Sequence, residues 1–261
     1  MKSFTTIGTA LGLLVGLAMG QAQAAAVNVL WYNGSTDPFV GAEDTNLLTP
    51  GIGDSSTSTW TISHWYNGDA KPGGVFQVLV IGSASAGASG SLLAALPAFG
   101  NRIFVTGQDA DYHLTFGPGP DTFDGPRGFL RDAINWAASG TGLGVVVLSP
   151  GEGAVSLADL GITGIGGDAG STESVVIPGA FAAFPVNTGL TSDGLSNWGT
   201  SSHDRWMTVT SDWTGINTDG GDGFVTLVST AEAAGGIDVP EPASALLLGV
   251  GLLGLIRRRR A

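Results

Sequence analysis

Three near-continuous apolar runs, at 76–81, 102–106 and 143–149, alternate with stretches long enough to form helices. A strand with one face in water alternates apolar and polar residues. Gly144-Val145-Val146-Val147-Leu148 does not alternate, so both of its faces must be covered. The simplest architecture that covers both is a mostly parallel sheet with helices on both faces. Further strand-length runs stand at 27–32, 174–177 and 224–228. Residues 124–139 read as a helix, with Asp124 as N-cap and Pro126 in the first turn. Phe129, Ala133, Ile134 and Ala137 share one face, and Ser139-Gly140 form the stop. Residues 89–99 read as a shorter helix.

The succession of strands and helices from 76 to 149 predicts right-handed crossovers in an α/β fold, flavodoxin-like or Rossmann-like. One such domain is expected over 27–235. Segments 33–58 and 107–124 are rich in Gly, Pro, Ser, Thr and Asp and read as long loops. Loops that leave the carboxyl ends of parallel strands are where such a sheet holds a ligand.

Charge and cysteine content narrow the function. The chain has no cysteine, which excludes disulfides, thiolate metal sites and a cysteine nucleophile. Its net charge is −12. Between residues 27 and 240 the only basic residues are Lys71, Arg102, Arg127, Arg131 and Arg205, against every acidic residue except Glu241. Nucleic acid is therefore not an expected partner, because binding it needs a basic face.

Residues 1–26 carry Lys2, an apolar run over 7–19 and then Ala22-Gln23-Ala24, the pattern of a signal peptide removed by signal peptidase. The other end, 236–261, holds Pro240-Glu241-Pro242, an uncharged apolar stretch over 243–256, and Arg257, Arg258, Arg259 and Arg260. As a helix that stretch spans about 21 Å, less than a hydrocarbon core of about 30 Å. It makes a marginal span, with the arginines retained on the cytoplasmic side. This tail resembles the PEP-CTERM sorting signal of Gram-negative bacteria. The resemblance implies recognition and cleavage by a membrane-embedded exosortase, with the inner membrane as a transient host. It also implies a setting of exopolysaccharide and biofilm.

A second resemblance rests on Gly140-Thr141-Gly142-Leu143-Gly144-Val145-Val146-Val147-Leu148, on Phe184-Pro185-Val186-Asn187-Thr188-Gly189-Leu190, and on His203-Asp204-Arg205-Trp206. These segments resemble the ThuA-like branch of the class I glutamine-amidotransferase-like superfamily, which implies a flavodoxin-like sheet. Glutaminase chemistry does not carry over. Ser149-Pro150-Gly151 stands where amidotransferases place their cysteine, and Phe184 stands in place of a histidine.

The candidate chemistry is sparse. Asp109, Asp111 and His113 alternate, so an extended segment would point all three to one side, with His203 and Asp204 as possible companions. That set could hold a divalent cation or supply an acid/base pair, and it equally fits a solvated loop. Asp219 and Asp222 in a Gly/Asp-rich stretch form a weaker candidate cation site, or a turn before the strand at 224–228. Ser149 lies at a strand end but lacks the Gly-x-Ser-x-Gly frame of a hydrolase nucleophile. Gly82-Ser83-Ala84-Ser85-Ala86-Gly87 lacks the Gly-Lys-Ser/Thr of a phosphate loop. Trp60, Trp65, Trp198 and Trp206 are candidates either for stacking on sugar rings or for core packing. The expected protein is an exported, exosortase-sorted surface or matrix component with a non-catalytic structural or binding domain and no cofactor beyond a possible divalent cation. The alternative is an extracytoplasmic metal-assisted hydrolase or carbohydrate-active enzyme built on the Asp/His loop.

Overall fold

The computed structural model describes residues 26–33, 60–83, 92, 100–116, 125–148, 162–168, 174–196, 198, 203–221 and 223–229. The signal segment, the tail, Ser149 and Asp222 lie outside the described residues. Among the described residues nine strands form one sheet: β1 (Val27–Asn33), β2 (Trp60–Tyr66), β3 (Val78–Ile81), β4 (Ile103–Thr106), β5 (Gly144–Leu148), β6 (Ile162–Asp168), β7 (His203–Val209), β8 (Trp213–Thr218) and β9 (Phe224–Ser229). Their order is β2-β1-β3-β5-β4-β9-β7-β6, with β8 paired to β9.

The first five strands pair in parallel. The last four join antiparallel, β9 against β4, β8 and β7, and β6 against β7. The sheet is therefore mixed, α/β-like in its first half, where the sequence predicts a mostly parallel one. The reason lies after residue 149, where no long helical pattern separates the later strands. Short connections such as the one from β8 to β9 can only make antiparallel pairs. The stretch at 174–177 forms a single bridge, Val176 opposite Thr218, and no strand.

Two helices stand among the described residues, α1 (Ala110–Phe116) and α2 (Pro126–Ala138). Pro126 opens α2 and Ser139 closes it, as the sequence predicts, but the N-cap is Gly125, with no side-chain cap bond. The pleat divides the core by residue parity. Val29, Trp31, Val78, Val80, Phe104, Val146 and Leu148 face Leu114 of α1 and Phe129, Leu130, Ala133 and Ile134 of α2. The opposite parity, Leu30, Leu79, Ile81, Val105, Val145 and Val147, packs with Trp206, Trp213 and Leu227. Leu92, from the predicted helix at 89–99, is helical and packs on this second face; its neighbours in that segment lie outside the described residues. Both faces of the central strands are thus covered, as their unbroken apolar sequence requires.

Candidate functional site

Strand β1 has β2 on one side and β3 on the other, so the chain reverses its direction of travel across the sheet between β1 and β3. At such a reversal an open α/β sheet holds its ligand in a crevice outside the carboxyl ends of the two strands. The described residues at that place are Tyr32 and Asn33 at the end of β1, and Gly82 and Ser83 after β3. The Gly82 N–H donates to the Tyr32 carbonyl at 3.3 Å.

The end of β4 delivers a third group of residues. Thr106 Oγ1 accepts the Gln108 N–H at 3.1 Å, Gly107 N–H donates to Val225 O at 2.7 Å, and Gln108 Nε2 donates to Leu195 O at 2.7 Å. These bonds turn the chain sharply into α1. Asp109, Asp111 and His113 therefore sit on a helical turn, correcting the extended geometry expected for them. With 3.6 residues per turn, Asp109 and His113 share a face while Asp111 points away from it. His113 Nε2 lies 3.3 Å from Asp109 Oδ1, and the His113 ring meets the edge of Trp198 at 5.6 Å between centroids. Asp111 turns to the crevice, where its Oδ2 accepts the Ser83 N–H at 2.8 Å.

All three side chains are buried, which corrects the solvated-loop reading. Burial pushes the Asp111 pKa up to about 6; the Ser83 N–H works against that rise and the neighbouring Asp109 adds to it. The fold brings Asp204 to the same place from far along the chain, since its N–H donates to Gly107 O at 2.9 Å and the residue is fully buried. His203 opens β7 beside it, opposite Asp168, with its side chain outside the described residues. Asp109, Asp111 and His113 thus sit at the end of β4, and Asp204 joins them there through its backbone. Among the described residues no three His, Asp or Glu side chains gather closely enough to hold a metal ion.

The second acidic candidate is a turn. Asp219 Oδ1 accepts the N–H groups of Gly221 and Gly223 at 2.9 and 3.1 Å, and its Oδ2 accepts from Arg205 at 2.5 Å. Partial burial pushes its pKa up, but the Arg205 bond and the two backbone donors outweigh that and hold it below the usual carboxylate range. The oxygens that could have bound a cation are occupied in closing the β8–β9 hairpin. Replacing Asp219 with Ala is expected to cost about 1 kcal/mol in a urea melt, and an unchanged midpoint would contradict this role.

Of the tryptophans, Trp60, Trp198 and Trp206 are buried in the core, where they offer no open face to a sugar. Trp65 is half-buried, edge-on to Tyr32 at 5.1 Å, and its indole N–H donates to Asp69 O. Sequence reasoning missed Trp31, whose indole Nε1 ends in the crevice with no hydrogen-bond partner. The signal available was a Trp two residues before the end of a mostly apolar strand, a position that normally marks core alone.

No helix among the described residues is long and apolar enough to cross a membrane. No curated protein and no solved structure matches the chain, so the likeness to ThuA-like proteins finds no support outside the quoted segments. One family model does match: the PEP-CTERM protein-sorting motif, over residues 238–260. The chain therefore ends in a sorting signal of the kind that implies export and exosortase-dependent delivery to the cell surface.

Proposed function

We propose that this chain is a surface or extracellular-matrix protein whose α/β body is a non-catalytic binding or structural module, displayed after two cuts. Signal peptidase removes the segment up to about residue 26. An exosortase then acts on the tail while the apolar stretch at 243–256 holds it in the inner membrane.

The observation that carries this reading is the match over 238–260, since Pro240-Glu241-Pro242, the apolar stretch and the arginines stand there in that order. A plain anchor would need the apolar stretch but no Pro-Glu-Pro. The strongly acidic body fits exposure outside the cell, where net charge keeps a protein dispersed and off anionic surfaces. An exopolysaccharide or biofilm matrix is the setting such a tail suggests.

The experiment is fractionation of the native protein beside a variant with Pro240, Glu241 and Pro242 all changed to Ala. The native protein is expected at the surface or in the medium, and the variant in the inner membrane with its tail uncut. Equal surface display of the two would overturn the assignment.

A further inference from the structure

Between the carboxyl ends of β1 and β3 lie two buried polar atoms that find no hydrogen-bond partner among the described residues, Trp31 Nε1 and Asp111 Oδ1. Trp31 is 1% exposed and Asp111 2%. Both side chains converge on Gly82. A Cβ built on that glycine would lie 3.1 Å from Asp111 Oδ2 and 3.2 Å from Trp31 Nε1, so the absent side chain keeps the two groups facing one another across a small gap. The Ser83 N–H donates to Oδ2 at 2.8 Å, and the Ser83 side chain and the Tyr112 backbone also reach the carboxyl and help to fix it, while Oδ1 meets no donor in hydrogen-bond geometry among the described residues.

A buried donor and a buried acceptor left unpaired each cost free energy, and native structures rarely leave both in one place without something to bridge them. The bridging group is constrained by what surrounds it. An anion is disfavoured by the Asp111 carboxyl, by the charge of nearby Asp109 and by an acidic body. A metal cation is disfavoured because the indole N–H points a positive edge at it, and no third ligand gathers among the described residues. A neutral group that donates and accepts at once satisfies both atoms, and a hydroxyl is the smallest such group.

We propose that the β1/β3 crevice binds a neutral polyhydroxylated ligand, a sugar unit or polyol, through one hydroxyl that donates to Asp111 Oδ1 and accepts from the Trp31 indole N–H. The inference extends the reading of the body as a binding module. It does not depend on the sorting assignment, because it is tested on purified protein wherever the cell delivers it. A buried water has the same hydrogen-bonding chemistry, and the test separates the two sources.

The full-length chain in detergent, labelled with 15N, is titrated with D-glucose, D-mannose and glycerol while the indole N–H resonances are followed. The Trp31 resonance is identified by its loss in Trp31→Phe. The expected result is a saturable shift of that resonance with at least one of the three, while the Trp213 indole stays still, and at least a tenfold weakening in Asp111→Asn. If the Trp31 resonance is unmoved by all three up to about 100 mM, well above a weak millimolar affinity, the proposal fails. Magnetisation transfer to a long-lived water without any ligand shift also overturns it, since the bridging hydroxyl then belongs to a structural water. A shift of equal affinity in Asp111→Asn overturns the assigned contact. Should Asp111→Asn not fold, Trp31→Phe, which removes the donor and keeps most of the ring volume, is compared with native protein by calorimetry against the same compounds. Equal heats would overturn the proposal.

Discussion

Replacing Gly107 with Ala is expected to cost about 3 kcal/mol, a large share of the roughly 5–15 kcal/mol that holds a domain of this size together. A Cβ on Gly107 would lie 1.8 Å from the Asp204 carbonyl oxygen, a distance no rotamer change relieves because both partners are backbone. The chain must part there. Parting breaks the Asp204 N–H to Gly107 O bond and strains the Gly107 N–H to Val225 O bond, two of the links that tie the end of β4 to the antiparallel half of the sheet. Gly73 is the control, for nothing lies within 4 Å of the Cβ position there, and Gly73→Ala should be neutral or slightly stabilising. Urea melts of the two variants decide the matter. A Gly107→Ala protein within about 0.5 kcal/mol of native would show that β4 and β7 do not meet as described.

The second large effect is pH-dependent. Asp111 holds its proton up to about pH 6 in the folded protein, whereas the unfolded chain releases it near the ordinary value of 3.8. Between those values the folded state binds more protons than the unfolded state, so stability falls as pH rises through the interval and levels out above it. Above pH 6 the native protein carries an ionised carboxylate in the crevice, with Asp109 beside it. Asp111→Asn removes that charge and keeps an oxygen for the Ser83 N–H. The variant is therefore expected to be about 2–3 kcal/mol more stable than native protein at pH 8, with the gain shrinking toward zero near pH 4. Asp132, half-buried on α2 and pushed up to about 7 by burial against the opposing pull of Arg131, contributes the same sign in both proteins and cancels in the comparison. Parallel stability curves for the two proteins from pH 4 to 8 would contradict the burial of Asp111. A variant that is more stable yet binds no polyol would mark the group as one kept for function at a cost in stability.

Four strands of the parallel half, β1, β3, β4 and β5, were legible from their apolar runs, whereas β2, with Thr61, Ser63 and His64 among its residues, was not. Runs such as Val78-Leu79-Val80-Ile81 and Val145-Val146-Val147-Leu148 carry nothing that tolerates water, and α2 announces itself by Pro126 and its apolar face. The later strands hide their pairing. Trp213-Thr214-Gly215-Ile216-Asn217-Thr218 and Ile162-Thr163-Gly164-Ile165-Gly166-Gly167-Asp168 contain residues that weaken strand propensity, and only the sheet beside them makes them strands. The candidate site was half legible. Asp109, Asp111 and His113 were singled out by type and spacing, but a period of two was assumed where the chain turns into a helix. Trp31 could not be found from sequence, because the groups around its indole N–H, Gly82 after β3 and Asp111 of α1, come together only through the order of the sheet.

The intact mass of the protein from cells with and without exosortase decides whether the tail is a sorting signal. Residues up to about 26 are expected to be lost in both. Loss of the tail beyond Pro240-Glu241-Pro242 and release from the inner membrane are predicted only where the exosortase is present. A tail of the same mass and the same membrane location in both would contradict the sorting assignment, and would reduce the final apolar stretch to an anchor.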